Sequence, residues 1–427
     1  MHKTLQSRIV RHNLAVNLLD GSFFGLGMGF ASYVTMIPLF VASLTDSTIL
    51  IGLIATIHTL GWQVPQLFMA GRVSRVSQVR PLVLMMTLHE RVPMFFLALT
   101  ALLIPSISEG VALFAVYALL LWQSLGAGLT ANGWQTMLGK VLPGSIRGTF
   151  YGVQSGAANL LSSGGALAGG WLLVALPYPY NFALCFAITG VAFMISWLFL
   201  AQTKEDPHDP GVLPAHPGWR EQLRRWSALL RQDANFRWFI VARSLMQFAQ
   251  MAMAFFTIYA VRAFNMDAAT AGILTGVMLL AQMIASPLLG YLGDRFGHRS
   301  MLIVGCAAMA LSALVAWLAP SLAWFYLVFI LVGVVNSSQW TSILAMTSQF
   351  GDERTRPLYV GLSNTLIAPA TLIAPLIGGV IADSFGFGAT FFVSIIGGLV
   401  AATVLAFCVY SPVQRLRHAA AGSVAGD

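Results

Sequence analysis

The chain alternates long apolar stretches with short polar loops, and no other feature limits its fold as strongly. A helix needs about 20 mostly apolar residues to cross a bilayer. Stretches of that kind lie at 14–43, 48–70, 81–104, 110–138, 148–175, 181–201, 237–262, 268–291, 300–319, 322–349, 357–381 and 387–410. We therefore predict an all-α membrane protein with twelve transmembrane helices.

Composition supports a lipid environment. Only 9% of the 427 residues are charged, 57% are hydrophobic and the mean hydropathy is +0.77. Soluble domains carry roughly 25% charged residues, so this chain could not cover a water-exposed surface. The net charge of +8 comes from basic residues scattered through short loops, which indicates a bilayer and not nucleic acid as the partner. Cys185, Cys306 and Cys408 lie in apolar stretches, so we interpret them as packing residues and predict no metal site.

The basic residues also predict an orientation. Lys and Arg concentrate in cytoplasmic loops of membrane proteins. With a cytoplasmic N-terminus, one side receives 20 of the 23 basic residues, in the loops 1–13, 71–80, 139–147, 202–237, 292–299, 350–356 and 411–427. We expect a multi-pass protein of the cell (plasma or inner) membrane with both termini in the cytoplasm.

The interval 202–236 separates six apolar stretches from six, which predicts an N-terminal bundle at 1–201 and a C-terminal bundle at 237–427. The fifth and eleventh apolar stretches share one pattern of an arginine followed by glycines, at the same intervals and with no insertion or deletion. The matching sets are Arg147, Gly152, Gly169 and Gly170 in the first half, and Arg356, Gly361, Gly378 and Gly379 in the second. The repeat predicts a parallel duplication of six spans.

The interval between the halves has two parts. Residues 204–217 are charged and proline-rich, which predicts an extended segment. The following part carries apolar residues at helical spacing (Trp219, Leu223, Trp226, Leu229, Leu230) and arginines on other faces (Arg220, Arg224, Arg225, Arg231). Such a pattern predicts an amphipathic helix at the anionic inner membrane surface. A solvated linker helix is the alternative.

The most specific motif follows the eighth stretch: Gly290-Tyr-Leu-Gly293-Asp294-Arg295-Phe-Gly297-His298-Arg299. It resembles the signature loop of the major facilitator superfamily, which lies between spans two and three and again between eight and nine. The resemblance implies two six-helix bundles and transport by alternating access. It also implies that Asp294 faces the free amide groups at the start of span five, near Arg147 and Gly148, where the helix dipole favours a carboxylate.

The corresponding loop in the first half departs from this motif. When Arg75 is aligned with Arg295, Ser74 stands where the family has an aspartate. We therefore expect a weaker contact between this loop and the start of span eleven, near Arg356.

Ionisable residues inside apolar stretches are costly, so each is a functional candidate. They are Asp20, His58, Glu90, Arg91 and Arg243. Asp20 and Arg243 lie at similar depths in spans one and seven, so they could pair with each other or hold a charged substrate. Asp20 or Glu90, with His58 as a lesser candidate, could couple transport to a proton gradient, because a carboxylate in a dry site favours its protonated form. Glu90 and Arg91 are neighbours and point about 100° apart on a helix, so we expect them to have different partners. The alternative for Glu90, Arg91 and Asp20 is a structural salt bridge.

The resemblance implies that spans four, seven and ten line the substrate cavity together with span one. These spans offer uncharged polar side chains: Gln123, Asn132, Trp134, Gln247, Gln250, Asn336, Gln339 and Trp340. Amides and indoles suit either a sugar or an amphiphile. The sequence Gly165-Ala-Leu-Ala-Gly169-Gly170 and its counterpart Ala374-Pro-Leu-Ile-Gly378-Gly379 each retain part of a family antiporter motif, although helix packing explains the small residues better.

These patterns and the family resemblance predict a secondary transporter that exports a lipophilic or amphiphilic small molecule in exchange for protons. A permease that takes up a polar nutrient such as a sugar is the alternative, followed by a transporter-derived sensor. No Gly-rich phosphate loop with Lys and Ser/Thr is present, which argues against ATP-driven transport. We expect a monomer with no cofactor and no enzymatic activity.

Overall fold

The computed structural model describes residues 2–33, 35–45, 47–207, 219–266 and 268–410. Within these ranges the regular secondary structure is helical, so the prediction of an all-α fold is confirmed. The first half contains α1 (His2–Phe30), α2 (Met36–Ala42), α3 (Thr48–Gln63), α4 (Pro65–Val73), α5 (Arg80–Met86), α6 (Leu88–Leu103), α7 (Glu109–Val141), α8 (Arg147–Ala175) and α9 (Tyr180–Leu200).

The second half begins after the interval between the bundles. It contains α10 (Trp219–Gln232), α11 (Ala234–Ala249), α12 (Met253–Phe264), α13 (Ala268–Phe296), α14 (His298–Leu318), α15 (Trp324–Thr347), α16 (Arg356–Thr365), α17 (Ala368–Phe385) and α18 (Phe387–Cys408). Most bounds lie within a few residues of the predicted stretches. For example, α9 replaces 181–201 and α14 replaces 300–319.

Ten helical stretches among the described residues are long and apolar enough to cross a membrane. The first two predicted spans are not among these ten, and each consists of two helices. The first is interrupted between Phe30 and Met36, and the second between Gln63 and Pro65. Proline at the start of α4 explains the second interruption. Its ring clashes with the carbonyl of the preceding helical turn, and it has no amide hydrogen to donate to that carbonyl. The total of twelve spans stays a prediction.

The described chain forms two compact units that follow the two halves except at two segments. The first unit comprises Met1–Pro143, Ala157–Gly211 and Glu353–Thr365. The second comprises Gly144–Gly156, Val212–Asp352 and Leu366–Asp427. The start of α8 therefore packs within the second unit, and α16 packs within the first. The division into bundles at 202–236 stays a prediction.

Each unit has its own aromatic core. In the first, the rings of Phe40 and Phe186 meet edge-on with centroids 5.1 Å apart. In the second, Phe391 contacts Phe256 at 5.5 Å and Tyr259 at 5.2 Å. These rings hold the helices in fixed positions, so the polar groups between them have defined partners.

The amphipathic helix expected between the halves is present as α10. Its position at a membrane surface stays a prediction. Of the segment 204–217, which was expected to be extended, residues 208–217 lie outside the described residues. In the part just before them Glu205 is buried, at 7% exposed, whereas Lys204, Asp206 and Pro207 are exposed.

Candidate functional site

A buried ion pair joins α1 to α6 inside the first unit. Asp20 and Arg91 are 4% and 3% exposed. Arg91 Nη2 lies 3.4 Å from Asp20 Oδ1, and the hydroxyl of Ser196 on α9 donates to the same oxygen at 2.6 Å. Arg91 Nη2 also donates to Ser196 Oγ at 3.0 Å. The hydroxyl therefore bridges the two charged groups, and the indole of Trp134 is a further donor to Asp20.

The remaining donors of Arg91 are occupied as well. Its Nε donates to the carbonyl of Phe193 at 2.9 Å, and its Nη1 donates to the hydroxyl of Thr87. The guanidinium also lies 5.7 Å from the centroid of the Phe24 ring. A buried charge is tolerable only when its hydrogen-bonding groups are satisfied, and this one is held by groups from several helices.

Glu90 brings a second carboxylate to the same guanidinium. Its Oε2 lies 3.7 Å from Arg91 Nη1 and accepts a hydrogen bond of 3.4 Å from Thr87 Oγ1. We call Asp20, Glu90 and Arg91 the charged cluster. It holds two acids and one base, so it carries one negative charge unless it also holds a proton.

The partners in this cluster differ from two of the expectations. Arg243 was one candidate partner for Asp20, but the structure pairs Asp20 with Arg91 of the same unit. Arg243 lies in the second unit, 4% exposed, with its guanidinium 5.9 Å from the centroid of Phe239. Glu90 and Arg91 were expected to have different partners, because neighbouring helical residues point apart. That was wrong, since the long arginine side chain reaches both carboxylates.

Two other candidates in the first unit meet around Tyr33. The Tyr33 hydroxyl donates to Gln123 Oε1 at 2.6 Å, and its ring stacks on His58 with centroids 3.9 Å apart. His58 is half-buried, whereas Tyr33 is buried. Sequence reasoning did not select Tyr33, which lies in the interruption after α1.

In the second unit, the predicted amides form contacts between helices. Gln250 Nε2 donates to Gln339 Oε1 at 3.0 Å, and Thr371 Oγ1 donates to Gln247 Oε1 at 3.3 Å. Asn336 is half-buried on the same helix as Gln339. Trp340 is 47% exposed. These side chains can present amide and indole groups to a ligand.

The signature motif at the end of α13 holds the start of α8. Asp294 Oδ1 accepts from the amide of Gly148 at 2.9 Å, and Oδ2 accepts from the amide of Thr149 at 2.6 Å and its hydroxyl at 2.7 Å. These amides belong to the first turn of α8, where they have no partner within the helix. We call this arrangement the Asp294 contact. The predicted position of Asp294 at this helix start is confirmed.

Glycines make the Asp294 contact possible. A Cβ on Gly290 would lie 2.2 Å from the carbonyl oxygen of Gly148, and one on Gly152 would lie 2.2 Å from that of Ser286. A Cβ on Gly293 would lie 2.3 Å from the ring of His298. Gly297 follows the end of α13 with a φ of +94°, a conformation that favours glycine.

The other motif residues have distinct positions. His298 Nε2 lies 3.1 Å from Asp294 Oδ1, a partner that sequence reasoning missed although the residue is in the motif. Arg299 Nη1 donates to the carbonyl of Val409 at 2.8 Å, beyond the end of α18. Arg295 is exposed, with its guanidinium 5.4 Å from the centroid of Phe296. The expected contribution of Arg147 to the Asp294 contact stays a prediction.

In the first unit, different hydrogen-bonding groups occupy the place equivalent to the Asp294 contact. Ser74 donates to the carbonyl of Gly71 in its own helix, at 3.3 Å. Side-chain amides hold α16 near both ends, since Asn132 Nδ2 donates to the carbonyl of Pro357 at its start, at 2.7 Å, and Asn364 Nδ2 near its end donates to Gln66 Oε1 at 2.6 Å. We call these two hydrogen bonds the amide contact. Asn132, a predicted cavity residue, is thus part of this contact and is fully buried.

Glu205 is a functional candidate that sequence reasoning missed. Its carboxylate accepts from the backbone amides of Val79 at 2.9 Å and Arg80 at 2.7 Å, which precede and begin α5. Lys140 at the end of α7 lies 3.0 Å from the same carboxylate. The segment after α9 therefore joins the start of one helix to the end of another. Its charged, proline-rich composition predicted an extended segment and gave no signal for this role.

Comparison with known proteins gives a match over nearly the whole chain. A family model described as Major Facilitator Superfamily matches residues 19–262 and 244–424. The chain is 30% identical over 143 residues to Multidrug resistance protein 2 of Bacillus subtilis, a match that covers 34% of this chain and 36% of that protein. It is 29% identical over 128 residues to the Tetracenomycin C resistance and export protein of Streptomyces glaucescens, covering 30% of this chain and 24% of that protein. The matched region thus spans about a third or less of these relatives.

A solved structure resembles the fold over most of the chain. The E. coli fucose:proton symporter FucP superposes with a TM-score of 0.73 at 14% identity, covering 93% of this chain and 98% of that chain. At that identity the likeness concerns the fold alone.

Proposed function

The chain belongs to the major facilitator superfamily and is a multi-pass membrane transporter, and from this premise we propose that it exports a lipophilic or amphiphilic small molecule in exchange for protons. Two similar proteins are named for drug resistance and antibiotic export, which supports the substrate class. The charged cluster supports the coupling.

The observation that carries the proposal is the imbalance of this cluster. Two carboxylates face one guanidinium, and all three residues are at most 9% exposed. A net charge away from water is costly, and one bound proton removes it. Asp20 accepts a short hydrogen bond of 2.6 Å from Ser196 and lies 3.4 Å from Arg91, whereas the contacts of Glu90 with Thr87 and Arg91 are both long, at 3.4 Å and 3.7 Å. Glu90 is therefore the better proton acceptor, and Asp20 is the better permanent anion.

Transport driven by a pH gradient tests this proposal. Everted membrane vesicles would be loaded with ethidium under an imposed proton gradient. We expect both Asp20→Asn and Glu90→Gln to abolish gradient-driven accumulation. Glu109→Gln, which changes an exposed acid at the start of α7, is the matched control and should transport like the wild type. Wild-type accumulation by both cluster variants would remove the cluster from the coupling mechanism.

A polar nutrient is the second candidate substrate, because of the amides in the second unit. Gln247, Gln250 and Gln339 contact each other or Thr371. Such groups suit the hydroxyls of a sugar. Alkalinisation of the medium on addition of a sugar to energy-depleted cells would favour this candidate, while ethidium export would favour the first.

We further propose a monomer of the cell membrane with cytoplasmic termini. Cysteines introduced at Ser108 and Asn265 should react with an impermeant reagent added from outside, and one at Ser77 should not. The native Cys185 and Cys306 are buried and should give little background. Reaction of the Ser77 variant from outside would reverse the orientation.

A further inference from the structure

Helix α10 presents three exposed arginines on one side and apolar residues on another. Positions 220, 224 and 231 are separated by four and seven residues, so they share one side of a helix with 3.6 residues per turn. All three are exposed. Arg225 lies on a different side and forms an ion pair with Glu221 at 2.7 Å. The charge of Arg225 is therefore compensated within the helix by its neighbour one turn away.

The residues on the apolar side of α10 differ in exposure. Trp226 is buried, at 9% exposed, while Leu229 and Leu230 are half-buried. Trp226 therefore packs α10 against the protein. The side that carries Arg220, Arg224 and Arg231, which we call the arginine side, is exposed and can bind a partner.

A corner of hydrogen bonds fixes α10 to the transmembrane helix that follows. Arg237 of α11 donates through Nη1 to the carbonyl of Leu230 at 3.2 Å, at the end of α10. Asp233 caps α11 by accepting from the amide of Phe236 at 2.9 Å. Only one residue separates the two helices. The arginine side of α10 therefore keeps a set position relative to α11.

Exposed aromatic residues mark the level of this corner. Trp238 is 39% exposed one turn into α11, and Tyr410 is 54% exposed after α18. The side chain of Asn235 donates to the carbonyl of Tyr410 at 2.8 Å and accepts from its amide at 2.7 Å, so both aromatics lie at the start of α11. Exposed Trp and Tyr concentrate where the apolar core of a bilayer meets the headgroups.

We propose that Arg220, Arg224 and Arg231 bind the headgroups of anionic phospholipids. The charge of the arginines complements the headgroup phosphates, and the aromatic residues place the helix at headgroup level. Because the corner is rigid, the bound lipid holds the start of α11 at the membrane surface. The inference uses the cytoplasmic orientation but not the substrate or the coupling ion.

A local lipid measurement on the full-length protein tests the proposal. A fluorophore would be attached to the cysteine introduced by Ser227→Cys, at an exposed position of α10, in a Cys408→Ser background. The protein would be reconstituted in phosphatidylcholine with a fixed fraction of phosphatidylglycerol. Quenching by headgroup-labelled phosphatidylglycerol, relative to labelled phosphatidylcholine, measures the local enrichment of anionic lipid.

We expect enrichment in the wild type that falls about fivefold for each arginine removed, the equivalent of ~1 kcal/mol for a basic residue near an anionic surface. Arg224→Gln should lose enrichment, and Arg220→Gln combined with Arg224→Gln and Arg231→Gln should abolish it. Arg225→Gln is the matched control and should retain it, since its charge is already paired with Glu221. If the triple variant does not reconstitute, the comparison of Arg224→Gln with Arg225→Gln decides alone.

Two results would overturn the proposal. Equal quenching by both lipids in the wild type would exclude an anionic-lipid site and point to a soluble partner. Equal loss of lipid enrichment in Arg224→Gln and Arg225→Gln would mean that the total charge of α10 determines the enrichment and that the placement of arginines on one side does not. Ethidium transport does not enter this measurement, so its outcome is independent of the proposed function.

Discussion

The starts of α8 and α16 occupy equivalent places in the two sequence repeats, yet different polar groups hold them. Asp294 accepts hydrogen bonds from the backbone amides of Gly148 and Thr149 at the start of α8. At the start of α16 the direction is reversed, because the backbone carbonyl of Pro357 accepts from the side chain of Asn132. One contact is charged and the other is neutral.

Both partners of the charged contact are missing in the first unit. Ser74 stands in the place of Asp294, and by the repeat spacing Pro357 stands in the place of Gly148. Proline has no amide hydrogen, so it could not donate to a carboxylate even if one were present. Its carbonyl can still accept, and Asn132 uses it.

The close approach of the helices is kept in both repeats. A Cβ on Gly152 would meet the carbonyl oxygen of Ser286 at 2.2 Å, and one on its counterpart Gly361 would lie 3.1 Å from that of Gln66. Alignment of Arg75 with Arg295 makes Gln66 the counterpart of Ser286. Both repeats therefore place this glycine against the equivalent carbonyl, more closely at Gly152 than at Gly361, while the hydrogen bonds around it differ.

The largest effect should come from a side chain at the glycine where α13 meets α8. Gly290→Val would place Cβ against the carbonyl oxygen of Gly148, and backbone cannot yield there. We expect near-complete loss of the Asp294 contact, measured as a longer distance between spin labels at Ser145 and Phe296. Gly276→Val is the control on the same helix, because a Cβ there meets nothing within 4 Å. An unchanged distance in Gly290→Val would refute the role of close packing.

Neutralising the carboxylate should have the next largest effect. Asp294→Asn keeps the shape but removes charge-assisted hydrogen bonds, each worth about 1.5–3 kcal/mol. Since about 1.4 kcal/mol corresponds to a factor of ten, the equilibrium constant for forming the contact should fall at least tenfold. The same label pair measures it. An equilibrium constant within twofold of the wild type would show that the charge is dispensable.

The amide contact should contribute less, because its hydrogen bonds are neutral. In a double-mutant cycle, Gln66→Ala and Asn364→Ala should show a coupling of about 0.5–1.5 kcal/mol in the distance distribution between labels at Arg72 and Glu353. The coupling should not change with salt, unlike the effect of Asp294→Asn. Additive single effects would mean that the 2.6 Å hydrogen bond does not hold α16 in solution.

The smallest effects should come from Ser74. Ser74→Ala removes only a hydrogen bond within its own helix, and Ser74→Asp adds a carboxylate that finds no amide hydrogen on Pro357. Both should leave the Arg72–Glu353 distances unchanged. Ser74→Asp combined with Pro357→Gly supplies acceptor and donor together and should shorten them. A shift in Ser74→Asp alone would contradict the explanation from the missing amide hydrogen.

Several parts of the fold and site were predictable because they depend on local pattern. Apolar length predicted the helices, and the amphipathic spacing predicted α10. The resemblance of the motif to the signature loop of the family implied the contact of Asp294 with the start of α8. In each case the information lies in neighbouring residues, or in a repeat whose spacing carries it from one half to the other.

The missed partners depend on distances along the chain that no local pattern encodes. Arg91 lies 71 residues from Asp20 and 105 from Ser196, and only the packing of α1, α6 and α9 brings them together. Glu205 is 126 residues from Val79. Its charged, proline-rich segment predicted only an extended chain, and only the fold places Glu205 at the start of α5.

By itself, the sequence determined the all-α class, the repeat and the need of each buried charge for a partner, because apolar length, spacing and the cost of desolvation are properties of the residues. Only the tertiary structure decided which partner each charge has. It paired Asp20 with Arg91 inside one unit, and it assigned Asn132 to the carbonyl of Pro357. A desolvated polar group takes whichever donor or acceptor the packed helices bring within about 3 Å, and that choice is made by packing.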